Sequence, residues 1–275
     1  MVIEIGGLGV GIHASDPAFL QLLERRYAGF VTSTSRSSSP AKTRSARARI
    51  DLDINIVDSR GVADTSPVLS EDVQVRCVDG RWLIDRGDFR VEWDPSSARG
   101  RVRQTVNPYS IDSALRILHS LVLAREGGFL VRAASAIRGG RAFLFAGVSG
   151  AGKTTIARLA PPDVTLLTDE ISYVRRLGNR YEAFGTPFTG ELARPGENHR
   201  APLAAVYLLA QGKANKIETV GAAEASRALL QHILFFARDC ELPKLVFQAA
   251  CDLVCNMPVR RLTFVPDARV WELIA

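Results

Sequence analysis

At 275 residues, with 47% hydrophobic and 23% charged side chains, the chain has the make-up of a globular protein with one large domain or a larger and a smaller one. No apolar run approaches the roughly 18 residues that span a bilayer; the longest candidate, Leu115 to Ala124, is broken by Arg116 and His119. The start, Met1–Ile5, lacks the basic and apolar regions of a signal peptide, so a cytoplasmic location is expected.

The net charge of +6 and the pI of about 9.4 suit nucleic acid, an anionic surface or a phosphate-bearing ligand. The basic excess gathers in two places: Arg36, Lys42, Arg44, Arg47 and Arg49 in the acid-free, Ser-rich stretch Thr32–Arg49, and Arg99, Arg101 and Arg103 further on. Neither interleaves aromatic residues, so nucleic acid is not an expected partner, and a solvated loop and a solvated strand face are the plain readings. Cys77, Cys240, Cys251 and Cys255 form no CxxC pair and are expected as buried free thiols.

In chain order, Val2–Ile12 predicts a strand or hairpin and Pro17–Tyr27 a helix capped by Asp16. The stretch Thr32–Arg49 is expected as a loop dispensable for ligand binding. Alternation then predicts strands at Ala48–Val57, Val73–Val78, Arg81–Asp85, Phe89–Trp93 and Arg101–Val106, with a hairpin turn at Asp79-Gly80. Residues 1–107 are therefore expected as a small β-rich domain with a mixed sheet and one helix, and residues 108–275 as a second domain. The second opens with an amphipathic helix from Ile111 that ends at Gly127-Gly128. Strands Phe129–Ile137 and Arg141–Phe145 follow around Gly139-Gly140, then a helix Thr154–Leu159 and a short strand Val164–Thr168. Ser172–Arg175 and Tyr181–Phe184 suggest a hairpin, and Gly185–Pro202 is long and irregular. A strand Leu203–Ala210, helices Ala222–Phe236 and Leu242–Asn256, and a strand Val259–Phe264 complete an α/β chain with α+β character.

Gly147-Val148-Ser149-Gly150-Ala151-Gly152-Lys153-Thr154 matches GxxxxGK[ST], the P-loop pattern. Glycines let the backbone curl so that successive N–H groups point at phosphate oxygens, and the helix that follows adds its positive end. Gly147, Ser149, Gly150, Ala151, Gly152, Lys153, Thr154 and Thr155 are thus expected to hold ATP. Lys153 would lie on the β- and γ-phosphates and the Thr154 hydroxyl on Mg2+. An apolar strand before the loop and a helix after it are the setting this motif requires. Asp169 and Glu170, at the end of a short strand, are the candidate acids for the metal. The irregular segment supplies candidate acceptor-side residues Glu191, Arg194, His199 and Arg200.

Gly147–Thr155, Leu166–Glu170 and the segment Gly185-Thr186-Pro187-Phe188-Thr189-Gly190-Glu191 resemble the catalytic domain of HPr kinase/phosphorylase, and the P-loop is also similar to that of ATP-type phosphoenolpyruvate carboxykinases. The resemblance covers about the C-terminal two-thirds. It implies a P-loop kinase-type domain in which Asp169 takes the proton of the acceptor hydroxyl and Glu170 helps hold Mg2+, although the two roles could be exchanged. Relatives often form homo-oligomers. Two departures stand out. Arg132 occupies the place of a histidine in the strand before the P-loop; an arginine cannot shuttle a proton, though it can clamp a phosphate or carboxylate, which puts phosphorylase chemistry in question. The C-terminal signature of the regulatory kinases is missing, so HPr is not an expected substrate. The resemblance implies an ATP- and Mg-dependent phosphotransferase acting on a hydroxyl of a peptide, protein or small molecule. The alternative is a nucleotide-binding accessory or ATPase module without kinase activity.

Overall fold

Period-two alternation builds the first sheet. The computed structural model describes residues 1–32, 50–58, 73–237 and 241–274. Strands β1 (Val2–Ile5) and β2 (Leu8–Ala14) form a hairpin about Gly6-Gly7, both at positive φ. β3 (Ile50–Ile56) and β7 (Arg99–Gln104) add in parallel; β6 (Phe89–Asp94), β5 (Arg81–Arg86) and β4 (Gln74–Val78) complete seven strands in the order β1-β2-β3-β7-β6-β5-β4. Asp79-Gly80 turns β4 into β5 with both residues at positive φ, as a type I′ turn demands. One face buries Leu52, Ile54, Val91 and Val102, while Arg99, Arg101 and Arg103 are exposed on the other. Opposite them across β3 stand Asp51, Asp53 and Asn55, so this arginine row is the solvated strand face the sequence suggested.

Asp16 caps helix α1 (Pro17–Arg26), its Oδ1 accepting from the backbone N–H of Ala18 at 2.8 Å and of Phe19 at 3.2 Å. Asn107 starts helix α2 (Pro108–Arg125) in the same way, its Oδ1 accepting from Tyr109 N at 3.0 Å. The buried carboxylate of Asp112 on α2 accepts from the Arg26 guanidinium and the Tyr27 hydroxyl. Burial first, and the Asp112 charge second, push the Tyr27 phenol well above its usual range.

The chain divides into two units: Met1–His119 with Phe236–Cys240, and Ser120–Phe235 with Glu241–Ala275. The division falls inside α2, whereas the sequence placed a boundary just before it.

The second unit is built on a mixed eight-stranded sheet. Its longest strands, β8 (Phe129–Arg138) and β13 (Arg200–Gln211), are each shared between two sets of partners. The front of β8 pairs with β11 (Ile171–Leu177), and its rear pairs with β9 (Arg141–Ala146) and β10 (Thr165–Thr168). β13 starts against β12 (Arg180–Phe184) and continues between β9 and β15 (Val259–Phe264), parallel to both. β14 (Lys216–Thr219), an element the hydrophobic pattern did not suggest, lies on the outer edge of β15. β8, β9, β13, β12 and β11 thus pair in a closed cycle.

Apolar residues cover both faces. Val131, Ala133 and Leu144 pack with Ala225 and Leu229 of α4 (Ala222–His232) and with Ala250 and Leu253 of α5 (Leu242–Asn256). On the other face Ala134, Ala136 and Phe145 pack with Ile156 of α3 (Lys153–Arg158) and with Trp271 of a terminal 3-10 turn.

Three expectations differ from the structure. α4 ends at His232 rather than Phe236, because Ile233 forms a bridge with Val131 and Leu234 N donates to Leu130 O at 2.8 Å. Those residues satisfy the edge of β8 that β9 leaves open, and this outcompetes four more helical residues. Cys255 is exposed and Cys251 half-buried, because the apolar stripe of α5 runs through Val246, Ala250 and Leu253 instead, and Cys77 is exposed on β4, the last strand of its sheet. The expected loop at Thr32–Arg49 beyond Thr32, and Cys240, lie outside the described residues.

Candidate functional site

β8 is the ruler along which the candidate residues are set. On one edge Ala133 pairs with Ala146, the last residue of β9, and the GxxxxGK[ST] stretch departs from there. On the other edge Thr168 pairs with Ser135 and Ile171 with Arg132, so Asp169 and Glu170 occupy a break in an otherwise continuous run along β8. Beyond the end of β9, Ile233 bridges Val131, which brings His232 to the same level. Alternation carries Arg132 to the face of Ala134 and Ala136, the one that packs against α3. β9, β10, β13 and β15 all run antiparallel to β8 or parallel to one another, so their C-terminal ends share one sheet edge.

The loop at that edge admits few side chains. Gly152 has φ 107°, and a Cβ there would lie 2.6 Å from the Phe264 ring at the end of β15. A Cβ on Gly147 would lie 2.6 Å from that of Ala151. Gln211, at the end of β13, donates through Nε2 to Gly150 O at 2.7 Å and holds the loop to the sheet. Lys153 folds back across the loop mouth, its Nζ donating to Gly147 O at 2.9 Å and Val148 O at 3.0 Å. An ammonium has three protons, so one remains for an incoming anion. Burial holds the Lys153 ammonium below its usual range; Glu170 opposes this, Arg132 adds to it, and Glu191 opposes it. Those four residues therefore share one electrostatic neighbourhood.

Asp169 is buried, and its carboxylate clamps a turn: Oδ1 accepts from Gly190 N at 3.1 Å and Oδ2 from Leu192 N at 3.0 Å. The turn closes with Ala193 N donating to Gly190 O at 3.0 Å, and it displays the exposed Glu191 at its tip. Each oxygen of Asp169 keeps a second lone pair for another donor. The segment carrying this turn is stitched down along its length. Thr186 N donates to Leu167 O at 3.1 Å and Glu197 N to Leu166 O at 3.0 Å, while the Thr186 hydroxyl bonds Ile171 O at 2.8 Å. Of the acceptor-side candidates, Glu191 acts on Lys153, and Arg194 and His199 are exposed. Arg200 instead faces Glu182 at 3.4 Å and stacks over the Phe184 ring.

The site also includes residues that the sequence reading passed over. Gln211 and Phe264 sit at the C-terminal ends of β13 and β15; the sequence predicted both strands but not that their ends reach the glycine-rich loop, a relation set by long-range pairing. His232 carried no signal either, because it lay within the helix expected to reach Phe236. It is 8% exposed, and its imidazole is held below the ordinary histidine range by burial, then by the charges of Lys153 and Arg132.

A family model described as SynChlorMet cassette protein ScmC matches residues 101–275. The chain belongs to the ScmC family. The match takes in the whole second unit, with every residue of the candidate site, and begins within β7 of the first. A search of curated proteins finds no match. The ScmC-family site brings together a glycine curl that excludes Cβ atoms, one spare Lys153 ammonium donor and the Glu170 charge acting on it, with Thr154 next in the chain; these are donors and oxygens of the kind that hold a phosphate and a divalent cation. Magnesium uses such oxygens one or two at a time, beside phosphate oxygens and water. Among the described residues no group of three or more His, Cys, Asp or Glu side chains gathers as a metal site, and no helix is long and apolar enough to cross a membrane.

Proposed function

We propose that this ScmC-family protein is an ATP- and Mg-dependent phosphotransferase with an HPr-kinase-like P-loop domain, moving a γ-phosphoryl group to a hydroxyl of a peptide, protein or small molecule. The observation that carries this reading is the convergence, at one level of β8, of the glycine curl with Lys153, the Asp169-Glu170 break and Arg132. In this reading the loop amides of Gly147–Thr155 and the spare Lys153 donor bind the β- and γ-phosphates. Thr154 and Glu170 would hold magnesium, which when bound would supply charge neutralisation on the phosphates. Arg132 offers its planar fork to the γ-phosphate or to an anionic group of the acceptor. Asp169 orients the acceptor hydroxyl through its remaining lone pairs, and the turn it clamps brings Glu191 alongside.

A second reading, a nucleotide-binding module without transfer activity, is favoured by one observation: both oxygens of Asp169 are engaged by Gly190 and Leu192, a purely structural use of that carboxylate. Incubation with γ-labelled ATP and magnesium, followed by mass spectrometry of candidate acceptors, separates the two. Transfer that is lost in Lys153→Ala and in Asp169→Asn, with Asp169→Asn still binding nucleotide, supports the kinase. Tight nucleotide binding with no labelled acceptor supports the module, and binding and turnover unchanged in Lys153→Ala would overturn both.

A further inference from the structure

The two acids of the break are held in different ways. Asp169 is tied by its side chain, which accepts from Gly190 N and Leu192 N. The Glu170 carboxylate makes no hydrogen bond or ion pair with another described residue; its main chain is what is fixed. The fixing group is Thr168, the last residue of β10 and 1% exposed. Its Oγ1 accepts from Glu170 N at 3.2 Å and from Ile171 N at 3.3 Å.

The strand is built to present that hydroxyl. Between Leu166 and Thr168 the pairing with β8 slips by one residue: Leu166 stands opposite Ala136 and Thr168 opposite Ser135. Leu167 is the extra residue of a bulge, and its carbonyl accepts from Thr186 N at 3.1 Å. Past the bulge, Asp169 and Glu170 leave the ladder and Ile171 rejoins it opposite Arg132. Main-chain N–H groups that leave a ladder inside a protein need an acceptor, and a threonine hydroxyl two or three residues back supplies one. From the other side Gly190 closes on the same pair: a Cβ there would lie 2.7 Å from Asp169 Oδ2 and 2.9 Å from Glu170 Cβ. The Glu170 backbone is thus seated between a buried hydroxyl and a glycine, while its carboxylate is left to act. Along β8 this level is that of the glycine-rich loop, because Ala133, between Ser135 and Arg132, pairs with Ala146 at the end of β9.

We propose that Thr168 is a positioning residue for the metal of Mg-ATP, acting through Glu170. Buried as it is, the hydroxyl does not reach the ligand; it sets the main chain from which the one uncommitted carboxylate of the break extends. The inference rests on the reading of Glu170 as a magnesium ligand in the nucleotide site.

Calorimetric titration of ATP, once with magnesium and once with EDTA, tests it in wild type, Thr168→Val and Thr168→Ser. Valine keeps the shape and removes the acceptor, and serine keeps the acceptor. In wild type magnesium should tighten ATP binding. Thr168→Val should lose about 10-fold of that tightening, the lower end of what outer-shell partners of a metal contribute, with the affinity in EDTA kept. Thr168→Ser should restore it, and the Glu170 and Ile171 amide protons should exchange faster in Thr168→Val alone. In wild type, magnesium added to the ATP complex should shift those two amide signals, a readout that stands even if Thr168→Val does not fold. Full tightening by magnesium in a folded Thr168→Val, equal losses with magnesium and with EDTA, or amide signals indifferent to magnesium would each overturn the inference. ATP bound by wild type equally well with and without magnesium would overturn it together with the metal role of Glu170. Failure of wild type to bind ATP under either condition would instead overturn the nucleotide reading beneath it.

Discussion

Two glycine-bearing stretches flank the same carboxylate break, and they use glycine for different reasons. In Gly147–Thr155 the glycines set the curl: Gly150 and Gly152 take positive φ, and Gly150 has open space where a Cβ would be. In the segment from Gly185 to His199 the glycines make room. A Cβ on Gly185 would fall 1.8 Å from Glu197 O, one on Gly196 1.6 Å from Leu167 O, and one on Gly190 2.7 Å from Asp169 Oδ2, all without a positive φ. The first stretch curls through positive φ and is open at Gly150, while the second lies flat against its own chain. A long irregular loop at a site edge can therefore be a rigid wall that carries acids to the site, rather than a lid.

The largest expected effect breaks that wall. Gly196→Ala forces a methyl into the Leu167 carbonyl, and two backbones must separate. A loss of about 3 kcal/mol is expected, at the upper end of overpacking costs, read as a lowered midpoint in denaturant. With the Gly196 N–H bond to Thr186 O at 3.1 Å strained, transfer should fall further than nucleotide binding does. A stability equal to wild type would mean that the segment is loosely held.

A smaller effect sharpens the comparison from the other side. Arg132 is exposed and acts on Lys153 and His232, so its removal takes a charge from the site without opening the core. Arg132→Ala should weaken Mg-ATP binding or transfer by about 1.5–3 kcal/mol, the worth of a charge-assisted hydrogen bond, with the melting temperature unmoved. An unchanged affinity and rate would make Arg132 an ordinary surface residue.

The two stretches also differ in how readable they are. The P-loop pattern is a spacing of glycines and lysine within eight residues, set by local backbone geometry, and the sequence displays it. The hairpins at Asp79-Gly80 and Gly139-Gly140, and the adjacency of β8 and β9, were legible for the same reason. Gly185, Gly190 and Gly196 answer to carbonyls and a carboxylate far along the chain, and no local spacing encodes that. His232 was hidden because a long-range bridge to Val131 ends its helix, a tertiary pairing that helical periodicity does not anticipate. Asp169 was found as an acid at a strand end, but its clamp on Gly190 and Leu192 was not, since a side chain's partners are decided by the fold.

The central claim is that Gly147–Thr155 is a cradle for a nucleotide, and calorimetric titration of Mg-ATP tests it most directly. The account predicts saturable binding at one site per chain in the wild-type protein. It predicts none in Gly152→Ala, where a methyl would meet the Phe264 ring and the backbone must leave φ 107°, provided thermal melting shows that variant to be folded. Equal affinity in the two proteins, or no binding by the wild type, would contradict it.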